Sequence, residues 1–335
     1  MKILITGARG FIGSQFLNYM LQSDDDQRID DREYVAFYRD TNSWSQARLL
    51  PPHSTVGDHD NVAFAKGDLT TDISGLCEGV DVVFNFAAKT FVDHSIVDPT
   101  AFVDTNVVGT MRLLEEARRQ KVKAFFQVST DEVYGQILDG YHNEKSPLCP
   151  RNPYAASKAG ADALVLSYAH TFDMFTCVTR TENNYGIMQH SQKVVPTFVA
   201  KAAKGEPLPV YGDGQHIRQW LHVADHCSAL RMLMQTGWAG KRIPNGEVYH
   251  VAGKQELTNL ALAEMILGIL GKGPAQIEFI ADHDIRPGHD KRYALTCQKI
   301  HDAVQWTPSV PLDDGMGNVV RWYAANERWH AAENL

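Results

Sequence analysis

Lys2–Thr6, Tyr34–Tyr38, Val62–Lys66, Val80–Phe84 and Ala124–Val128 are short runs of apolar, β-branched and aromatic residues, the composition of buried strands. Between them, Phe16-Leu17 to Met20-Leu21 and the stretch from Pro99 to Arg119 carry apolar residues at helical spacing. Residues 23–33 are polar and mostly acidic, and are expected as a solvated loop. Strands alternating with helices of this length predict an α/β fold: a Rossmann-type, doubly wound parallel sheet. A helix beginning near Tyr154 and a strand at Cys177–Arg180 continue the pattern. After residue 186 the alternation weakens. Helices are expected at Val194–Ala203, Leu257–Leu270 and near Val319–Trp329, with a strand and turn over 207–214. The expected division is a domain over 1–185 and a smaller C-terminal domain over 186–335, partly interleaved with the first.

Composition narrows the class. With 44% hydrophobic and 21% charged residues the chain reads as an ordinary soluble globular protein. A formal net charge of -8, with no run of Lys or Arg, argues against a nucleic-acid partner. The five cysteines (Cys77, Cys149, Cys177, Cys227, Cys297) form no C-x-x-C pair, so neither a metal site nor a disulfide framework is indicated. No segment is long and apolar enough to span a bilayer, and the first residues enter a strand without a leader pattern. A cytoplasmic location with no membrane partner is expected.

The first chemical signal is Gly7-Ala8-Arg9-Gly10-Phe11-Ile12-Gly13, which follows a strand and opens a helix. Glycines there permit a tight turn and close approach of backbone to a pyrophosphate, which the helix N-terminus favours. The G-x-x-G-x-x-G spacing resembles that of short-chain dehydrogenases/reductases. At the end of the second strand stands Tyr38-Arg39-Asp40, so two cofactor forms are open. Asp40 on a ribose hydroxyl would suit NAD; Arg39 on a 2′-phosphate would suit NADP.

The second signal is Ser129-Thr130-Asp131-Glu132-Val133-Tyr134-Gly135 at a strand end, with Tyr154-Ala155-Ala156-Ser157-Lys158 downstream. In open α/β sheets the ligand crevice lies at the carboxyl ends of the strands. Tyr154 and Lys158, four apart, share a helix face. A phenol titrates near about 10, and a neighbouring ammonium is expected to favour its ionised form, as a working base requires. Such a pair oxidises an alcohol. Asp131 and Glu132 are surplus to that chemistry and provide an acid and a base for an elimination, if burial keeps Asp131 protonated.

These segments, with Asn183-Asn184-Tyr185-Gly186 and Arg286-Pro287-Gly288-His289-Asp290-Lys291-Arg292-Tyr293, closely resemble the extended short-chain dehydrogenase/reductase family, and within it the dTDP-glucose 4,6-dehydratases. The resemblance spans nearly the whole chain. It implies catalytic roles for Thr130, Asp131, Glu132, Tyr154 and Lys158. It places the cofactor on Gly7, Gly10, Phe11, Ile12, Gly13, Arg39, Asp68, Leu69, Phe86, Ala87, Ala88, Lys89, Thr105, Tyr154, Lys158 and Asn184. It places the nucleotide sugar on Thr90, Thr130, Asn183, Lys193, Val194, Pro209, Tyr211, Arg218, His289 and Tyr293. It also implies a homodimer joined through residues 99–119 and 154–171. No metal is implied.

Several positions depart from that pattern. Lys89 stands where a carboxylate is usual, Arg180-Thr181-Glu182 replaces R-C-S, Ser191-Gln192-Lys193 replaces P-E-K, and Gln219 replaces Asp. The expected function is an NDP-hexose 4,6-dehydratase using NAD, or NADP through Arg39, with dTDP-glucose as the first candidate substrate. The alternatives are a nucleotide-sugar epimerase or decarboxylase, and, in a different class, a non-catalytic dinucleotide-binding sensor.

Overall fold

Seven parallel strands build the central sheet: β1 (Lys2–Thr6), β2 (Glu33–Tyr38), β3 (Val62–Lys66), β4 (Val82–Asn85), β5 (Ala124–Thr130), β6 (Thr176–Thr181) and β10 (Glu247–Val251), in the order β10-β6-β5-β4-β1-β2-β3. The computed structural model describes residues 1–27, 31–39, 59–281 and 289–329. Asp40 and Arg286 to Gly288 lie outside them. The strand order reverses between β1 and β4, the switch point at which such sheets form a crevice.

Both faces of the sheet are covered, which is why its strands read as apolar runs. On one face Phe84 lies between Phe16 of α1 (Phe11–Gln27), at 4.6 Å, and Phe126, at 4.7 Å between ring centroids. On the other, Leu113 and Leu114 of α4 (Gly109–Arg119) and Val165 of α5 (Pro153–Phe172) pack on Leu4, Val83, Phe125 and Val178. α1 runs to Gln27, into the acidic stretch expected as a loop. Upstream of α4 come α2 (Val92–Val97) and α3 (Pro99–Phe102). The helix expected over 99–119 is continuous, but Val103–Val108 winds as a π-helix between α3 and α4. Such a turn often marks a functional site. Here it turns Asn106 inward, where its amide donates to Ser157 Oγ at 2.8 Å and accepts from the Lys89 amide at 2.8 Å.

A second apolar cluster gathers α6 (Val194–Lys204), α8 (Asn259–Ile269) and α10 (Leu312–Ala325) around Phe198, Ile266 and Val320. Two small sheets accompany it. In one, β9 (Ile217–His222) pairs with β7 (Asn183–Tyr185) in parallel and with β11 (Gln255–Thr258) antiparallel; in the other β8 (Leu208–Tyr211) pairs with β12 (Ile277–Ile280). β11 takes Leu257 and Thr258, which the periodicity assigns to a helix, because Leu257 pairs with Arg218 across the ladder. Although it follows β9, β10 returns to the edge of the large sheet beside β6. α7 (Val223–Met232) and α9 (Gln298–Val304) likewise pack on the α1 face, through Leu230 and Ile300.

Candidate active site

At the carboxyl ends of β1, β4, β5 and β6 opens a cleft of about 610 Å³. Its floor at one end is the glycine turn. Gly7 has φ +65°, and a Cβ there would meet the Ala87 amide at 2.8 Å; one at Gly13 would meet the Gly7 carbonyl at 2.4 Å. Only glycine leaves the backbone bare and close enough for a flat, negatively charged ligand to lie against it. The cradle fits a dinucleotide. Gly7, Gly10, Phe11, Ile12, Gly13, Arg39, Asp68 and Leu69 line this end, and Phe86, Ala87, Ala88, Lys89, Thr105 and Asn184 line the middle.

At the other end stand Thr130, Asp131, Glu132, Tyr154 and Lys158, with Thr90, Asn183 and Lys193 opposite. β5 delivers the first three: all seven of its residues are buried, and a 3-10 turn, Asp131–Tyr134, begins where it stops. Asn152 then does two jobs. Its Oδ1 accepts from Ala155 N at 2.8 Å, capping α5, and its Nδ2 donates to Glu132 Oε2 at 3.1 Å. The helix carrying Tyr154 and Lys158 is thereby fixed against the carboxylate.

The electrostatics separate the two carboxyls. Burial, then the neighbouring Glu132, push Asp131 up to about 7, so a large share of it still holds a proton near neutrality. Burial pulls Lys158 down to about 8, and Asp162 opposes that fall. The Lys158 ammonium donates to the Val128 carbonyl at 2.7 Å. Tyr154 differs from the expectation of a lowered phenol. Burial and then Glu132 raise it, and a hydrogen bond with Thr130 recovers only part of the rise. Lys158 donates to Val128, and burial with the carboxyls of Glu132, Asp131 and Asp162 outweighs its charge.

The remaining residues assigned to the nucleotide sugar do not line the cleft. Val194 opens α6, and Pro209 and Tyr211 lie on β8. Arg218 is the hub of a separate group: its Nη2 is 3.0 Å from His289 Nε2, and its guanidinium sits 4.4 Å above the Tyr293 ring. Tyr211 meets His289 edge-on at 6.3 Å. This group adjoins the acid end, since Arg218 acts on Asp131 and Glu132 acts on Tyr293.

Sequence reasoning missed several cleft residues. Arg9, inside the glycine turn, places its guanidinium 3.5 Å from the Tyr38 ring centroid at the mouth. Phe91 and His190 pack edge-on at 5.1 Å on the opposite rim. Buried beneath, Asp162 and Arg180 form an ion pair of 2.9 Å. Asp162 falls four residues after Lys158, a spacing that could have exposed it. Among the described residues no group of three or more His, Cys, Asp or Glu is placed to hold a metal ion, and no helix is long and apolar enough to cross a membrane.

A glycine turn at a switch point, a Tyr-x-x-x-Lys face and a wall of small residues define a dinucleotide-binding α/β protein of the extended short-chain dehydrogenase/reductase class. More narrowly, the chain belongs to the family described as GDP-mannose 4,6 dehydratase, whose sequence profile matches residues 4–319. It is 43% identical over 330 residues to the low-salt glycan biosynthesis protein Agl12 of Haloferax volcanii, covering 98% of this chain and 100% of that one. It is 42% identical over 331 residues to a dTDP-glucose 4,6-dehydratase of Actinoplanes sp., covering 98% and 99%. Among solved structures, DesIV, a dTDP-glucose 4,6-dehydratase from Streptomyces venezuelae with NAD and TYD bound, matches with a TM-score of 0.89 at 38% identity, covering 98% of each chain.

Proposed function

We propose that the protein is an NDP-hexose 4,6-dehydratase that converts dTDP-glucose to dTDP-4-keto-6-deoxyglucose. The observation that carries this reading is the pairing, in one cleft, of a raised Asp131 and a Glu132 held by Asn152 with the Tyr154–Lys158 face. Alcohol oxidation needs only the latter; elimination of water uses both carboxyls.

The cofactor is NAD, which Gly7, Gly10, Gly13, Asp68 and the wall Phe86 to Lys89 would hold; when bound, it would supply a hydride acceptor for C4 and a hydride donor for C6. Tyr154 takes the proton of the C4 hydroxyl as its phenolate, the form that its hydrogen bond with Thr130 favours. Lys158 supplies the nearby positive charge that this transfer requires. A ketone at C4 acidifies the C5 proton, which Glu132 removes. Asp131 protonates the C6 hydroxyl, and water leaves. Glu132 then gives its proton back to C5. Arg218, His289 and Tyr293 hold the diphosphate side of the nucleotide, where guanidinium and imidazole groups suit it.

The same reading assigns residues 1–185 to cofactor binding and most of 186–335 to the nucleotide sugar. It includes a cytoplasmic location and a homodimer. The exposed apolar residues Val97, Val103 and Met111 on and beside the helices over 92–119 support the dimer.

The test is to incubate the protein with a panel of nucleotide hexoses and weigh the products. Loss of one water from dTDP-glucose is the expected result. An unchanged mass with inverted sugar configuration would replace the reading by an epimerase, and cofactor binding without turnover would favour a sensor.

A further inference from the structure

β5 and β6 pair in parallel up to Thr130 and Thr181, so Asp131 and Glu182 are the first residues past equivalent points on neighbouring strands. Both line the cleft, 3% and 4% exposed. Each has one anchored carboxyl oxygen. Thr130 donates to Asp131 Oδ1 at 3.1 Å, and the Gly253 amide donates to Glu182 Oε2 at 3.1 Å. The other two oxygens, Asp131 Oδ2 and Glu182 Oε1, are buried with no protein partner. Glu182 is not free to swing away. Gly253 is tied by Gln219, whose Nε2 donates to its carbonyl at 2.7 Å, and a Cβ on Gly253 would meet the Trp220 carbonyl at 2.0 Å.

Resting on the dehydratase reading, we propose that Glu182 is a positioning residue of the elimination step: a neutral carboxylic acid whose O–H is donated to Asp131 Oδ2 as Asp131 becomes a carboxylate. When Asp131 protonates the C6 hydroxyl, its O–H bond breaks, an O–H bond of water forms and the C6–O bond breaks. The charge left on the buried Asp131 needs a donor. Hydrogen bonds to an ionised acceptor are the strong ones, and they gain strength as the charge develops. Glu182 is the group beside Asp131 with an uncommitted carboxyl oxygen. Burial, and then an ionised Asp131, push Glu182 well above the ordinary carboxyl range, which keeps it neutral. Glu132 and Arg218 also face Asp131, and Glu256 and Cys297 face Glu182; all four stay in place in the variants below.

The experiment compares wild type, Glu182→Leu and Glu182→Gln with dTDP-glucose, measuring C4 oxidation and water loss separately across pH. Elimination needs protonated Asp131, so its rate falls as pH rises through the Asp131 pKa. In Glu182→Leu the donor is gone: water loss is expected to slow at least about tenfold relative to C4 oxidation, with that fall moved to higher pH. Glu182→Gln keeps an N–H donor and an acceptor for Gly253, and is expected to recover most of the rate. A fall moved to lower pH in either variant would show that Glu182 had been ionised and would overturn the proposal, as would unchanged rates and profile in both. If Glu182→Leu does not fold, the isosteric Gln variant still gives the sign of the change in pH profile. A wild type that releases no water from any nucleotide hexose sinks the dehydratase reading itself, and is seen before any variant is made.

Discussion

Asp162 accepts from Arg180 Nε at 2.9 Å in the interior, one turn along α5 from Lys158, and the Arg180 Nη1 in turn donates to Tyr134 Oη at 2.6 Å. A buried ion pair contributes little over a good apolar contact, but breaking one is costly. Asp162→Ala leaves the Arg180 charge uncompensated, and the expected loss of stability is about 3–5 kcal/mol, read by urea unfolding. The pair also serves the site, because Asp162 opposes the fall of Lys158. Asp162→Asn keeps an acceptor for Arg180 but removes that support, so Lys158 drops below about 8. C4 oxidation, which uses the charged ammonium, then declines at a lower pH than in wild type. Coinciding pH profiles would separate Asp162 from the chemistry.

Glu132→Gln and Tyr154→Phe should split the reaction at different places. Asn152 Nδ2 donates to Glu132 Oε2, and a glutamine can offer its carbonyl oxygen to the same donor, so the site keeps its shape. That variant is expected to oxidise C4, seen as a cofactor absorbance change, while water loss falls by about 10²–10⁴. Tyr154→Phe is expected to lose a similar factor in C4 oxidation itself. Full dehydration by Glu132→Gln would remove Glu132 from the mechanism.

Asp131 carries a stability cost with a defined sign. Its folded pKa, about 7, lies above its ordinary value of 3.8. Between those values the folded chain holds a proton that the unfolded chain releases, so stability is fully present below the lower value and declines as pH rises towards the upper. Each tenfold difference in proton affinity between the two states corresponds to about 1.4 kcal/mol. Asp131→Asn, neutral throughout, is expected to match wild type near pH 4 and to unfold at a higher temperature than wild type at pH 8, while losing dehydration. A variant less stable than wild type at pH 8 would show that the carboxylate is well satisfied in the folded protein.

What the sequence made legible follows from locality. The glycine turn, β1 to β6 and the Tyr154–Lys158 face are each set by residues adjacent in the chain, and their types report their surroundings directly. Lys158 illustrates where this stops: its partners, the Val128 carbonyl and Asp162, follow from the packing of α5 on β5, and the same burial, with Glu132 beside it, reverses the expected effect on Tyr154. β9, β11 and β12 escaped because short strands in small sheets lack a long period. β10 is held beside β6 through pairing with residues some seventy positions earlier, from Glu247↔Cys177 to Val251↔Thr181. Glu182 was visible only as an odd letter in a motif. Its meaning depends on a parallel register that no local pattern encodes.

Arg39 raised the possibility of NADP, and its partner now bears on the choice. Arg39 Nη1 lies 3.0 Å from Asp68 Oδ2 across the ends of β2 and β3, with the side chains 45% and 23% exposed. Although burial opposes it, hydrogen bonds from Thr70 and from Arg39 hold the Asp68 carboxyl below its ordinary value, so it stays ionised and keeps its cation. A 2′-phosphate at this place would have to take Arg39 from Asp68 and lie near the carboxylate left behind. An exposed pair of this kind is worth only about 0.2–1 kcal/mol, so repulsion by Asp68 is the larger obstacle. NAD is therefore expected to bind at least about tenfold more tightly than NADP in calorimetric titrations. Asp68→Asn releases Arg39 and removes the repelling charge, and should narrow that ratio by strengthening NADP binding. Arg39→Ala in the Asp68→Asn background should widen it again. Equal affinities for the two cofactors in the wild type would mean that Arg39 leaves Asp68 for the phosphate, and would return the cofactor assignment to NADP.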